Sequence, residues 1–196
     1  MLVGEIVYGG LGTGLYSVIF IALIALFVGG LMIGRTPEHL GKQIGPPEMK
    51  IIAIYTLVGP VTVLALTALA VATKPGLAGL TTNSGSHGFT EILFAYASAF
   101  ANNGQSMAGL SANNIFYNTT TIIAMLAGRY ILAVLALSFA GRFAAMSRRP
   151  PSSGTMPSDG LVFGVLLAGT TLLLGALNFL PALALGPIVE QFSTHS

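Results

Sequence analysis

The stretch from Phe89 to Ser106, FTEILFAYASAFANNGQS, decides how this chain is read. Its apolar part, Phe89 to Ala101, is apolar enough to enter a bilayer but too short to cross one. A helix needs about 20 residues to span roughly 30 Å of hydrocarbon. The glycine-bearing run TTNSGSHG precedes it, and Asn102-Asn103-Gly104-Gln105-Ser106 follows it. A short helix that stops on polar, glycine-bearing backbone reads as a re-entrant pore loop. Lipid offers such backbone no hydrogen-bond partners, so only a wet or protein-lined cavity tolerates it. An interfacial helix is the competing reading of the same residues.

Four flanking stretches are long enough to cross: Leu15 to Ile33, Ile51 to Thr73, Ile115 to Ala140, and Leu161 to Leu185. Only 7% of the 196 residues are charged, and the mean hydropathy is +0.83. A soluble domain keeps about a quarter of its residues charged to hold a hydrated surface. The solvent for most of this chain is therefore lipid, and the expected fold is all-α and polytopic, with four transmembrane helices plus one re-entrant pore loop. A net charge of +2 gives no reason to invoke nucleic acid, and the absence of cysteine excludes disulfides and thiolate metal sites. No GxSxG, Walker A or HExxH pattern occurs, so no ATP hydrolysis and no cofactor are expected of this chain. Met1 to Glu5 carries no basic n-region, so no cleavable signal peptide is expected.

Basic residues orient the spans. The loop from Gly34 to Lys50 holds Arg35, Lys42 and Lys50, and the loop from Gly141 to Gly160 holds Arg142, Arg148 and Arg149. Both are expected to be cytoplasmic, which puts both chain ends outside and makes the re-entrant segment enter from outside. Thr36, Pro37 and Glu38 look like a helix start, so a short cytoplasmic helix from Pro37 to about Gln43 is expected. Gly9 to Gly14 follows no strand and matches no phosphate loop; it suits close helix packing.

Several residues carry candidate chemistry. In Asn102-Asn103-Gly104 a glycine permits dihedrals that aim successive carbonyls at one axis, as a K⁺ filter requires. The same tripeptide also suits a helix C-cap. Arg129, preceded by Gly128, sits midway along the third stretch, where a guanidinium is costly and faces a cavity, pairs with a carboxylate of another helix or snorkels to an interface. Arg35 ends the first stretch, as a flanking charge or as a coupling residue. His87 and Glu91, four apart, share one helical face as metal ligands or an acid–base pair; Glu91 alternatively complements the helix dipole.

Taken in order, several strings resemble one family, the potassium-binding A subunit of the Kdp potassium-transporting ATPase. Gly34-Arg35-Thr36-Pro37-Glu38-His39-Leu40-Gly41-Lys42 resembles its cytoplasmic motif. His87 to Glu91 and Asn102 to Gly104 resemble its last pore loop. Ala108 to Asn113, Ser153-Gly154-Thr155 and Phe179 to Pro187 match further along. The resemblance covers essentially the whole chain. It implies a K⁺-channel-like fold of helix–pore-loop–helix repeats. Residues 1–50 would be the second helix of the third repeat and its loop, 51–146 the fourth repeat, and 147–196 a cytoplasmic loop, a final helix and an outer tail.

The resemblance further implies that Asn102, Asn103 and Gly104 supply one quadrant of a K⁺ filter by their backbone, with Arg129 as a charge below it. Implied partners are an ATP-hydrolysing P-type subunit and small accessory membrane subunits, in the plasma membrane (the bacterial inner membrane). Gln105 departs from the family's usual serine. Family chains are longer, and one pore loop cannot close a filter. The chain taken literally would therefore need the other quadrants from elsewhere. Two rivals from other classes are a non-conducting scaffold that only docks the ATPase partner, and a membrane enzyme built on His87 and Glu91.

Overall fold

The computed structural model of the chain describes residues 10–35, 37–83, 85–105, 107–111, 113–148, 150 and 160–193. Gly9, Thr36, Ser106, Ala112, Arg149 and the Ser153-Gly154-Thr155 string lie outside the described residues. The elements are α1 (Gly10–Met32), β1 (Glu38–His39), β2 (Lys42–Gln43), α2 (Pro46–Ala72), α3 (Lys74–Leu77), α4 (Ser86–Ala101), α5 (Ile115–Leu126), α6 (Leu132–Ala145) and α7 (Leu161–Ser193). A π-helical turn, Ala127–Ile131, joins α5 to α6 without a break.

Among the described residues four helices are long and apolar enough to cross a membrane: α1, α2, the continuous α5–α6 rod and α7. They coincide with the expected stretches, with shifted ends. Helix α7 runs on to Ser193 through Pro181 and Pro187, so the expected outer tail after Leu185 is mostly helix. Helix α2 starts at Pro46, where Pro at the first turn costs no hydrogen bond and Glu48 Oε2 accepts from the Gly45 N–H at 3.2 Å.

The expected short helix from Pro37 to Gln43 is not formed. Those residues make a two-stranded antiparallel hairpin with Glu38 opposite Gln43 and His39 opposite Lys42. Leu40 and Gly41 form the two-residue turn with φ of 52° and 74°, the doubly left-handed geometry that hairpins favour. Tertiary contact overrides the local helix-start signal. Lys42 Nζ donates to the carbonyl oxygens of Phe143 and Ala144 at the end of α6, satisfying carbonyls that a helix C-terminus leaves open.

The bundle has two ends. At the hairpin end meet the C-termini of α1 and α6 and the start of α2. The Arg142 Nε and Nη2 each lie 3.3 Å from Glu48 Oε1. At the other end, the loop end, Tyr117 of α5 donates its hydroxyl to the Gly76 carbonyl at 2.8 Å, and Leu80 bridges Leu110. The core is correspondingly double. One cluster surrounds α4 and includes Val63, Ile92, Leu93, Tyr96, Tyr117 and Ala124. The second fills the hairpin half and includes Phe20, Leu23, Ile52, Tyr55 and Phe139. Phe100, at the tip of α4, packs against both.

Candidate functional site

Helix α4 is 16 residues long, short of the about 20 that a crossing needs, and it stops at mid-depth. Its last turn abuts the middle of two long helices. A Cβ on Gly59 of α2 would sit 3.2 Å from the Phe100 ring, and a Cβ on Gly128 of the π turn would collide with the Phe100 carbonyl. The chain then returns to the end it came from. Thr81 N–H donates to the Gly109 carbonyl at 2.9 Å, and Ser111 N–H to the Gly79 carbonyl at 2.7 Å. Entry and exit at one end distinguish a re-entrant loop from an interfacial helix, which would not reach the core.

The turn at the tip forms the C-cap that Asn102-Asn103-Gly104 suits. Asn102 caps α4 in the left-handed conformation, φ 55° and ψ 31°. The Asn102 N–H donates to Ala99 O at 3.1 Å and the Asn103 N–H to Ser98 O at 3.4 Å, the paired pattern of a helix that ends on a left-handed residue. Gly104 follows with φ 72°, and a Cβ there would meet nothing within 4 Å. Glycine at this place thus serves conformation rather than space.

Side chains hold this turn. Asn102 Nδ2 donates to Phe100 O at 3.0 Å and to Met125 O at 3.2 Å, which ties the loop tip to the third crossing. Asn103 Oδ1 accepts from the Gln105 N–H at 3.1 Å. The buried Ser98 hydroxyl faces Asn103 Oδ1 at 2.7 Å and the Gln105 carbonyl. Gln105 is exposed and takes part through its backbone, so glutamine in place of serine leaves the anchoring intact.

Arg129 lies on the π turn, and its side chain is exposed. The helix carrying it widens one residue after Leu126, and such turns recur at functional sites. Because Gly128 backs onto Phe100, the guanidinium-bearing turn sits beside the C-terminal, electronegative end of α4.

Arg35 is exposed; its backbone N–H closes α1 on Gly30 O at 2.8 Å, with Gly34 left-handed at φ 67°. His87 and Glu91 do not form a joint site. His87 Nε2 reaches Glu190 of α7 at 3.2 Å, whereas Glu91 is buried against Asn83. Among the described residues no group of three or more His, Cys, Asp or Glu side chains is placed to hold a metal.

Sequence reasoning missed Ser98, Asn83 and Gly109, which fix the loop from the side, and the π turn. The Gly128-Arg129 pair signals close packing, but a register change within a helix leaves no composition signal.

Comparison with known proteins gives a consistent result. A family model described as KdpA, potassium-transporting ATPase A subunit, matches residues 1–192. The chain is similar to proteins named potassium-transporting ATPase potassium-binding subunit. One from Polynucleobacter asymbioticus is 56% identical over 191 residues, covering 97% of this chain and 32% of the relative. Another from Laribacter hongkongensis is 50% identical over 196 residues, covering 100% of this chain and 34% of the relative. A third, from Chromobacterium violaceum, is 54% identical over 191 residues, covering 97% and 32%. The chain spans about a third of the length of the curated relatives it matches.

Proposed function

The chain belongs to the potassium-transporting ATPase A subunit family and is a multi-pass membrane protein, and from that premise we propose that it supplies one quadrant of a K⁺ filter in an ATP-driven uptake complex. The backbone carbonyls of Asn102, Asn103 and Gly104 face the ion and replace part of its water shell. The negative end of α4 points at the same place and favours a cation there. Arg129 supplies a positive charge beside the path, where it limits how tightly the ion is held. Both chain ends lie outside and both basic loops in the cytoplasm. A P-type partner subunit hydrolyses ATP, small accessory membrane subunits complete the complex, and Arg35 belongs to the cytoplasmic face that couples to them.

The observation that carries this reading is the mid-depth turn itself, with left-handed Gly104 in open space between an anchored cap and an anchored return. The test is Gly104→Asp in the complete subunit within its complex. A side chain at φ 72° is strained and turns carbonyls off the axis. The half-saturating K⁺ concentration for uptake is expected to rise by about tenfold or more, with the complex still assembled. Uptake that stays unchanged at low K⁺ rules the filter role out.

A further inference from the structure

Glu91 poses a question that the filter reading does not answer. It is 5% exposed, yet only one carboxylate oxygen has a partner. Oε1 accepts from Asn83 Nδ2 at 2.6 Å, while the buried Oε2 has no hydrogen-bond partner among the described residues. An orphaned buried carboxylate oxygen is costly, so something must compensate for keeping it.

The local geometry shows what the carboxylate touches. A Cβ added to Gly109 would run into both Glu91 oxygens and into Thr82 Oγ1. Gly109 has no left-handed φ, so glycine stands there to let the carboxylate lie on its backbone. Asn83 and Thr82 belong to the limb that leads into α4, and Gly109 belongs to the limb that returns. The carbonyl of Gly109 also accepts from Thr81 N–H at 2.9 Å and Thr81 Oγ1 at 3.0 Å. Glu91 is therefore wedged between the two limbs from behind.

We propose that Glu91 is a positioning residue for the ion path: its carboxylate clamps the outgoing limb at Asn83 to the returning limb at Gly109 and so sets the height of the Asn103–Gln105 carbonyls. This rests on the filter reading. The backbone between Asn103 and Gly109 is fixed at its lower end by Ser98 and Asn102. At about 3.3–3.6 Å per residue, so short a segment cannot absorb a displaced upper anchor without moving its carbonyls. Glu91 touches no ion; it acts through Gly109.

The experiment compares Glu91→Ala, Glu91→Gln, Gly109→Ala and Gly104→Asp in the complete subunit within its complex, with K⁺ and Rb⁺ as probe ions. Glu91→Ala and Gly109→Ala are expected to raise half-saturating K⁺ about tenfold and to narrow the preference for K⁺ over Rb⁺, at a maximal rate within about twofold of the parent. Glu91→Gln keeps the shape and the acceptor for Asn83, and it is expected to restore affinity to within about threefold. A fall in maximal rate alone, at unchanged half-saturation, would mean a structural role and overturns the proposal. So does parental affinity in both clamp variants while Gly104→Asp is defective. Gly104→Asp without effect sinks the filter reading itself. If Glu91→Ala fails to accumulate, Gly109→Ala decides alone, because it keeps the glutamate side chain and pushes the returning limb and the carboxylate apart.

Discussion

Two helix C-termini of the bundle, α6 at the hairpin end and α4 at its mid-depth tip, solve the same problem of open carbonyls in opposite ways. At the hairpin end a lysine takes them: Lys42 donates to Phe143 and Ala144 of α6, and Arg142 nearby binds the buried Glu48. At the tip of α4 neutral amides take them: Asn102 and Asn103 close the helix on Ala99, Ser98 and Phe100. A fixed ammonium at a helix C-terminus cancels its negative end. Neutral caps leave that field uncancelled by the cap itself. Under the proposed filter role the backbone at this tip is anchored by neutral groups, and the positive charge of Arg129 stands on the neighbouring π turn rather than in the cap.

The largest effect expected to break this comparison comes from Gly128→Ala. The added methyl meets the Phe100 carbonyl, so the π turn and the tip of α4 must part. A loss of about 2–3 kcal/mol is expected in detergent unfolding titrations. Gly141→Ala is the control, since its Cβ would meet nothing within 4 Å, and it should gain up to about 1 kcal/mol from helix propensity. Equal behaviour of the two variants would mean that the loop tip is not packed on the third crossing.

An intermediate effect belongs to the charged end. Arg142→Met leaves the buried Glu48 without its cation. With the arginine side chain 50% exposed and the glutamate 4% exposed, solvent screening discounts the full buried-pair cost to about 1–2 kcal/mol. A double-mutant cycle with Glu48→Gln measures the coupling. Additivity within about 0.3 kcal/mol would show that charge does not hold this end.

The smallest effect is a pH dependence at the same end. Burial of His39 beside Phe143 holds its imidazole below the ordinary histidine value of 6.5. The unfolded chain therefore binds the proton more readily. The stability that the neutral ring contributes is present above a pH of about 6.5 and is lost as the pH falls from there through the folded-state value. His39→Phe should flatten the acid limb of the unfolding profile; an unchanged slope would remove His39 as its cause.

Much of this architecture was legible in residue order. Four long apolar runs and one short one were enough to predict four crossings and one loop, because a bilayer admits few backbone solutions. The turn that carries the candidate site was legible as a segment, Asn102 to Gly104, since asparagine and glycine mark left-handed backbone whatever surrounds them. The hairpin at Glu38 to Gln43 was misread because Thr36-Pro37-Glu38 is a genuine local helix signal, and only Lys42 reaching the end of α6 outweighs it. The helical spacing of His87 and Glu91 suggested a pair, but their partners, Glu190 and Asn83, stand on different elements.

By itself, then, the sequence determined that this chain lives in lipid, how often it crosses, and where its backbone turns inside. These follow from solvent exclusion and local dihedral preference, which act over a few residues. Only the tertiary structure decided which carbonyls are capped by cations and which by amides, that the third crossing changes register at Gly128, and that Glu91 rests on Gly109. Each of those depends on atoms from distant segments meeting within a hydrogen-bond length, and no local pattern encodes such a meeting.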